Sequence, residues 1–246
     1  MKDLFSTQAK LYARYRPVYP PELFNFILSF VQQRDSALDC ATGNGQVART
    51  LAAHFSRVCA VDISESQLSH AIKLENIEYS VYRAEQTPFS DSSFDLITVA
   101  QAHHWFNGPK FCREATRIAR PGAIIAIWGY DLTYSGSPID SIVHHWNFDI
   151  LAPYWEEERK HVYTHYDHLP FEFERIPAPE FRIVVDWKSE ELIGHLRTWS
   201  ALQKMKQRVG DGAFRTVVDE ITRMWGNDDR KRFTFPIFLK LGRVRK

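Results

Sequence analysis

Short apolar runs alternate with helical stretches between residues 36 and 130, and this alternation limits the possible folds more than any other feature. The runs with strand character cover residues 38–40, 58–62, 77–83, 94–100 and 123–128. Strands that alternate with helices favour a parallel sheet covered by helices on both faces. The almost wholly apolar run at 123–128 is typical of a strand buried on both faces. We therefore predict an α/β fold with a mostly parallel sheet.

Local signals add helix boundaries and mark a change of pattern after residue 130. Ser64, with Gln67 three residues on, predicts an N-terminal capping box. Beyond residue 130 only 182–187 and 233–244 have strand character, and residues 189–225 are helical with a break at 210–212. We predict three parts: a helical segment at 1–35, the α/β core at 36–130, and insertions with the last two strands at 131–246.

Charge and cysteine content exclude several classes of protein. The net charge is +1, from 31 basic and 30 acidic residues, whereas nucleic-acid binders carry a strongly basic surface. Three cysteines, Cys40, Cys59 and Cys112, form no C-x-x-C pair, which argues against a disulfide framework or a metal site. Without a long apolar segment, we expect a cytoplasmic protein with no membrane or nucleic-acid partner, either a monomer or a dimer.

A glycine-rich turn follows the first predicted strand and precedes a helix. Asp39 lies at the strand end, and Gly43, Asn44 and Gly45 form the turn. Glycines allow a ligand to approach the backbone, and a helix N-terminus offers unpaired N–H groups. Residues 43–48 also match the G-x-G-x-x-A form of a dinucleotide fingerprint. This turn alone therefore leaves open the alternative of a nicotinamide-dependent oxidoreductase. Asp62, at the end of the second strand, is suited to hold ribose hydroxyls in either case.

Further landmarks favour a different cofactor. They lie at residues 84–89, 93–97, 101–106 and 120–123, and with the glycine-rich turn they resemble the class I S-adenosylmethionine-dependent methyltransferases over residues 36–130. Two positions depart from that family: Ala41 replaces its usual glycine, and Arg83 stands where it often has aspartate. The resemblance implies a Rossmann-like fold, with S-adenosyl-L-methionine as the cofactor.

The same resemblance implies a set of binding residues. The turn meets the methionine part of the cofactor, the acid after the second strand holds the ribose, and residues 84–89 flank the adenine. Tyr15 and Arg16 would close the site from the N-terminal segment. The expected cofactor-binding residues are Tyr15, Arg16, Asp39, Ala41, Gly43, Asn44, Gly45, Asp62, Ile63, Ala84, Glu85 and Gln101.

Motifs outside the core narrow the resemblance. Residues 12–20, 104–106, 127–130, 153–156, 197–201 and 240–244 together resemble the trans-aconitate methyltransferase-like branch. That branch implies a seven-stranded sheet with an antiparallel last strand, and a C-terminal helical cap over the cofactor cleft. It also implies O-methylation of a small carboxylic acid.

The expected acceptor residues are His104, Trp105 and Arg197. A carboxylate is ionised at neutral pH and needs no base, whereas an arginine fork suits its two oxygens. The aromatic residues Trp128, Tyr130, Trp155 and Trp199 are further candidates for lining the cleft, since a sulfonium is compatible with aromatic faces. Three alternatives stay open: a nitrogen, carbon or hydroxyl-oxygen acceptor, a nicotinamide-dependent oxidoreductase, and a non-catalytic sensor of the methyl donor.

Overall fold

A computed structural model describes residues 14–227 and 229–246. The strands are β1 (Ser36–Cys40), β2 (Arg57–Asp62), β3 (Ile77–Val81), β4 (Phe94–Ala100), β5 (Ala119–Tyr130), β6 (Glu174–Ile176), β7 (Phe181–Trp187) and β8 (Lys231–Arg243). The helices are α1 (Pro21–Ser29), α2 (Gln46–Ala52), α3 (Glu65–Ser69), α4 (Gly108–Ile118), α5 (Ile139–His145), α6 (Lys160–Tyr163), α7 (Ser189–Arg197), α8 (Ser200–Val209) and α9 (Gly212–Trp225).

The strands form one sheet in the order β3-β2-β1-β4-β5-β8. Strands β1 to β5 pair in parallel, and β8 pairs antiparallel with β5. This arrangement confirms the predicted Rossmann-like α/β fold with a mostly parallel sheet and an antiparallel last strand. The carboxyl ends of β1, β2 and β4 therefore lie at one edge of the sheet.

The far edge of the sheet differs from the expected seven strands. Two strands, β6 and β7, share the position beside β8, so the sheet has eight strands among the described residues. Pro177 and Pro179 lie between them, and proline cannot donate a ladder hydrogen bond. The seventh position is thus divided into two pieces.

Two buried layers cover the sheet. Successive residues of β1 show the alternation, because Ala37 belongs to one apolar cluster and Leu38 to the other. Helix α4 covers the second face through Phe111 and Ile118. The second half of the chain adds Trp146 and Phe214 to the first cluster, so its helices pack directly on the core.

The predicted helix signals are largely confirmed. Ser64 caps α3 by accepting a hydrogen bond from the Gln67 backbone N–H at 3.2 Å. The second bond of the predicted capping box is replaced, because the Ser64 backbone N–H donates to Asp62 Oδ1 at 2.9 Å. Helices α8 and α9 meet at Gly210, where the break was predicted. None of the helices in the described part of the chain is long and apolar enough to cross a membrane.

Candidate active site

A cavity of about 960 Å³ opens at the carboxyl ends of β1, β2 and β4. In this sheet β1 lies between β2 and β4, so the order in which strands are added reverses beside β1, and ligands bind at such a point in open α/β sheets. We call it the first cavity. The expected binding residues that line it are Arg16, Asp39, Ala41, Gly43, Asn44, Asp62, Ile63 and Gln101.

The glycine-rich turn is tight at the base of the first cavity because three of its residues have positive φ. They are Ala41 at 52°, Gly43 at 58° and Gly45 at 80°. A left-handed conformation costs a non-glycine residue roughly 1–2 kcal/mol, which explains why glycine is usual where this chain has Ala41. A Cβ atom built on Gly43 would meet nothing closer than Gln67 Oε1 at 3.9 Å. The backbone of the turn is therefore open to a ligand.

Asp39 is a buried carboxyl group that orients the turn. It accepts hydrogen bonds from the hydroxyls of Thr42, at 2.5 Å, and Thr98, at 2.8 Å. Burial raises the pKa of Asp39 to about 6, although both threonine hydroxyls oppose the shift. The charge of this group in the free protein thus changes just below neutral pH.

Asp62 joins the end of β2 to the same turn. Its Oδ2 accepts from the Gly43 backbone N–H at 2.9 Å, and its Oδ1 accepts from Ser64. Each carboxylate oxygen has a second lone pair, and Asp62 lines the first cavity. It can thus hold the turn and face a ligand at once.

A second, smaller cavity of about 470 Å³ adjoins the first. The two share Arg16, Gln101 and Trp105. Gln101 has a φ of 55°, and its Nε2 donates to the Tyr130 carbonyl at 3.1 Å. Strained backbone of this kind is concentrated at functional sites. The remaining residues of the second cavity are His104, Trp155, Glu156, Arg159 and Ser200.

The second cavity presents a cation. The Arg159 guanidinium lies over the Trp155 ring, 4.4 Å from its centroid. The Nε atom of Arg159 is buried and has no hydrogen-bond partner in the described part of the chain. The nearby Glu156 carboxylate is already paired with Lys204. The cavity therefore favours an anionic ligand.

His104 and Trp105 lie on a 3-10 turn after β4, His103–Trp105. The His104 Nδ1 atom lies 3.0 Å from the Tyr166 hydroxyl. Burial, with the Arg159 charge nearby, lowers the pKa of His104 well below 6.5, so the ring is neutral. It lines the second cavity as a polar group without charge.

Comparison with known proteins assigns the family. Residues 38–127 match a family described as a methyltransferase domain. A protein named as a methyltransferase in Dictyostelium discoideum is 35% identical over 202 residues, covering 80% of this chain and 77% of that protein. A structure described as a type II methyltransferase from Anaeromyxobacter dehalogenans is 37% identical with a TM-score of 0.85, covering 94% of this chain and 99% of that one.

The chain belongs to the class I S-adenosylmethionine-dependent methyltransferases. This membership replaces the nicotinamide alternative that the glycine-rich turn had left open. A ubiquinone/menaquinone biosynthesis C-methyltransferase of Rickettsia prowazekii is also 34% identical, over 39% of this chain and 44% of that protein.

The residues of the first cavity fit the methyltransferase cofactor. The open backbone at Gly43 and two strand-end carboxyl groups, Asp39 and Asp62, match a ligand with an amino group and ribose hydroxyls. When bound, S-adenosylmethionine supplies an electrophilic methyl group on a positively charged sulfur. The protein's task is then mainly to align the acceptor with that methyl group.

Four expected binding residues lie outside the cavity lining. The Tyr15 ring packs on α7, so close to Gly194 that a Cβ built there would lie 2.4 Å from it. Gly45 faces Tyr79, and Ala84 is buried in the core. The Glu85 carboxylate accepts from the Asn107 backbone N–H at 3.0 Å.

The aromatic candidates divide between cavity and core. Trp105 lines both cavities, Tyr130 the first and Trp155 the second. Trp128 and Trp199 are buried in the first apolar cluster.

Arg197 lies apart from both cavities. It is on the exposed side of α7, with its guanidinium 5.7 Å from the Phe214 ring centroid. The sequence interpretation missed Arg159 and gave Glu156 no role, although the motif at residues 153–156 was a signal that could have led to both.

Proposed function

We propose that this methyltransferase transfers the methyl group to a carboxylate oxygen of a small organic acid, as its resemblance to the trans-aconitate methyltransferase-like branch implies. The observation that carries the proposal is the Arg159 side chain, which lines the small cavity adjoining the cofactor cavity and whose buried Nε has no hydrogen-bond partner among the described residues. A buried hydrogen-bond donor without a partner is unfavourable. An anionic methyl acceptor that forms a hydrogen bond with Arg159 is therefore favoured.

The acceptor carboxylate would lie between Arg159 and the boundary of the two cavities. Arginine presents donors in a planar fork that matches two carboxylate oxygens. Trp105 and Gln101, at that boundary, would set the approach of the acceptor to the methyl group. The carboxylate has an ordinary pKa of about 4 and attacks in its ionised form.

In this proposal the three parts of the chain have separate roles. Residues 36–130 bind the cofactor, and the cap insertions within 131–246 supply the acceptor side. Arg16, from the segment 1–35, closes the site, whereas the Tyr15 ring packs on α7. Residues 1–13 of that segment lie outside the described part of the chain.

The test is an acceptor screen with a methyl-labelled donor. Small di- and tricarboxylates are compared with amines, phenols and carbon nucleophiles, and products are treated with base. The proposal predicts labelled products from carboxylates that release methanol in base, because they are esters. Methylation of amines, phenols or carbon alone would contradict it.

A pair of variants then identifies the arginine that binds the acceptor carboxylate. Arg159→Gln should lower the acceptor kcat/KM by about 10- to 150-fold, the loss of a hydrogen bond to a charged group worth ~1.5–3 kcal/mol. Arg197→Gln is the matched variant, because the sequence suggested Arg197 as the arginine that binds the acceptor. A large loss in Arg197→Gln, with none in Arg159→Gln, would return the role to Arg197.

A further inference from the structure

Tyr166 lies behind the second cavity and is fully buried. Its ring packs edge-on against Phe238, with the centroids 5.0 Å apart. Its hydroxyl lies 3.0 Å from His104 Nδ1, and no other hydrogen bond to that hydroxyl occurs within the described residues. The hydroxyl and the imidazole thus form an isolated buried pair.

The backbone is strained where it places Tyr166. His165 and Tyr166 have φ values of 49° and 61°, a left-handed conformation that is unfavourable for side chains of this size. Two groups hold the segment: the His165 ring stacks on Phe238 and its Nε2 lies 3.0 Å from the Asp131 carboxylate. Strain of this kind persists only where its surroundings enforce it, and it is often functional.

The direction of the hydrogen bond follows from counting donors and acceptors. A neutral imidazole has one N–H and one bare nitrogen, and a phenol has one O–H. If His104 Nδ1–H were the donor, the buried Tyr166 O–H would have no acceptor, which is unfavourable. The Tyr166 hydroxyl is therefore the donor, and the proton of the His104 ring is on Nε2.

The charged and titratable groups around His104 agree with a neutral ring. Arg159 faces it from the cap, and His103, His161 and Tyr166 lie near it. Arg16 and Glu156 line the same cavity. Burial, and after it the charges of Arg159, His103 and His161, lower the pKa of His104 well below 6.5. A ring in this environment is a poor proton acceptor at neutral pH.

We propose that Tyr166 is a positioning residue that holds His104 in its Nε2–H form, so that His104 is a hydrogen-bond donor to the acceptor and not a base. This rests on the proposed carboxylate acceptor. One carboxylate oxygen forms the C–O bond to the methyl carbon while the C–S bond breaks, and that electron pair stays on sulfur. The other oxygen accepts from His104 Nε2–H. No proton moves, so the negative carboxylate and positive sulfonium become a neutral ester and a neutral thioether.

The form of the His104 ring can be measured by nitrogen NMR on protein labelled with ¹⁵N at histidine. The signal is assigned by its loss in His104→Gln. We expect a protonated Nε2 and a bare Nδ1 in the wild type, and a mixture of both forms in Tyr166→Phe. A protonated Nδ1 in the wild type would overturn the proposal. This readout needs no acceptor, so it is independent of the acceptor screen.

Kinetics then separate a donor from a base. His104→Gln keeps an N–H donor at a similar position but cannot take a proton, so we expect its acceptor kcat/KM to stay within about tenfold of the wild type. Loss of a general base typically costs 10²- to 10⁴-fold, and such a loss would contradict the proposal.

Tyr166→Phe should raise the acceptor KM several-fold more than it lowers kcat, while S-adenosylhomocysteine binds as in the wild type. Tyr134→Phe is the matched control, because Tyr134 is exposed and lies outside both cavities. Equal losses in Tyr134→Phe and Tyr166→Phe would show that the effect is not specific to the His104 pair.

Discussion

The two cavities are built in different ways. The first is formed by backbone, at strand ends and in a turn whose positive φ values begin at Ala41 and end at Gly45. The second is formed mainly by long side chains, with Trp155, Glu156 and Arg159 coming from the cap. If the proposed assignment holds, the difference teaches that a rigid scaffold holds the constant cofactor, whereas side chains that can change singly contact the acceptor. Variants should therefore affect cofactor binding and acceptor use separately.

The largest expected effect comes from a change in the turn beside the backbone-built cavity. Gly45 has a φ of 80°, and an added Cβ would lie 2.2 Å from the Tyr79 hydroxyl. Gly45→Ala should lower the free energy of unfolding by ~2–5 kcal/mol, from left-handed strain and overpacking. Gly43→Ala is the matched control, because it introduces left-handed strain without overpacking. It should lower the free energy of unfolding by ~1–2 kcal/mol. Urea unfolding measures both, and equal losses would show that close packing of the turn does not matter.

The next effect concerns the carboxylate that joins the turn to β2. Asp62→Asn keeps the size of the side chain but replaces one acceptor oxygen with a donor. We expect the S-adenosylhomocysteine dissociation constant to rise about 10- to 150-fold, since bonds to charged groups are worth ~1.5–3 kcal/mol. Calorimetric titration measures it. Unchanged affinity would remove Asp62 from the cofactor site.

The smallest expected effect is a pH dependence of cofactor binding. The free protein has an Asp39 pKa of about 6, and a bound amino group would favour the ionised form. Below pH 6 binding must then release a proton, so affinity should fall by up to about tenfold per pH unit as the pH falls. Asp39→Asn should abolish the slope. A pH-independent affinity in the wild type between pH 5 and 7 would contradict a cationic partner for Asp39.

The contrast between the cavities also explains what the sequence could predict. The strand at 94–100, the cap of α3 at Ser64 and the strand-end acids depend on short-range patterns, and the structure has them where they were predicted. Arg159 comes from a short 3-10 turn in a region without periodicity. Its position depends on packing between distant segments, which spacing does not encode.

Two arginines show the same limit of prediction from sequence. Arg197 lies in a motif shared with the suggested branch, but the register of α7 places it on the exposed side. Arg159 carries no motif of its own, yet it reaches the second cavity. Only the fold distinguishes them.

The central claim is that cofactor and acceptor are bound by separate sets of residues, and one calorimetric comparison tests it. S-adenosylhomocysteine is titrated into the wild type, Asp62→Asn and Arg159→Gln. We expect Arg159→Gln to bind it within about twofold of the wild type, although its acceptor kcat/KM falls about 10- to 150-fold. Asp62→Asn should lose affinity instead. An equal loss of affinity in both variants would contradict the division between the two cavities.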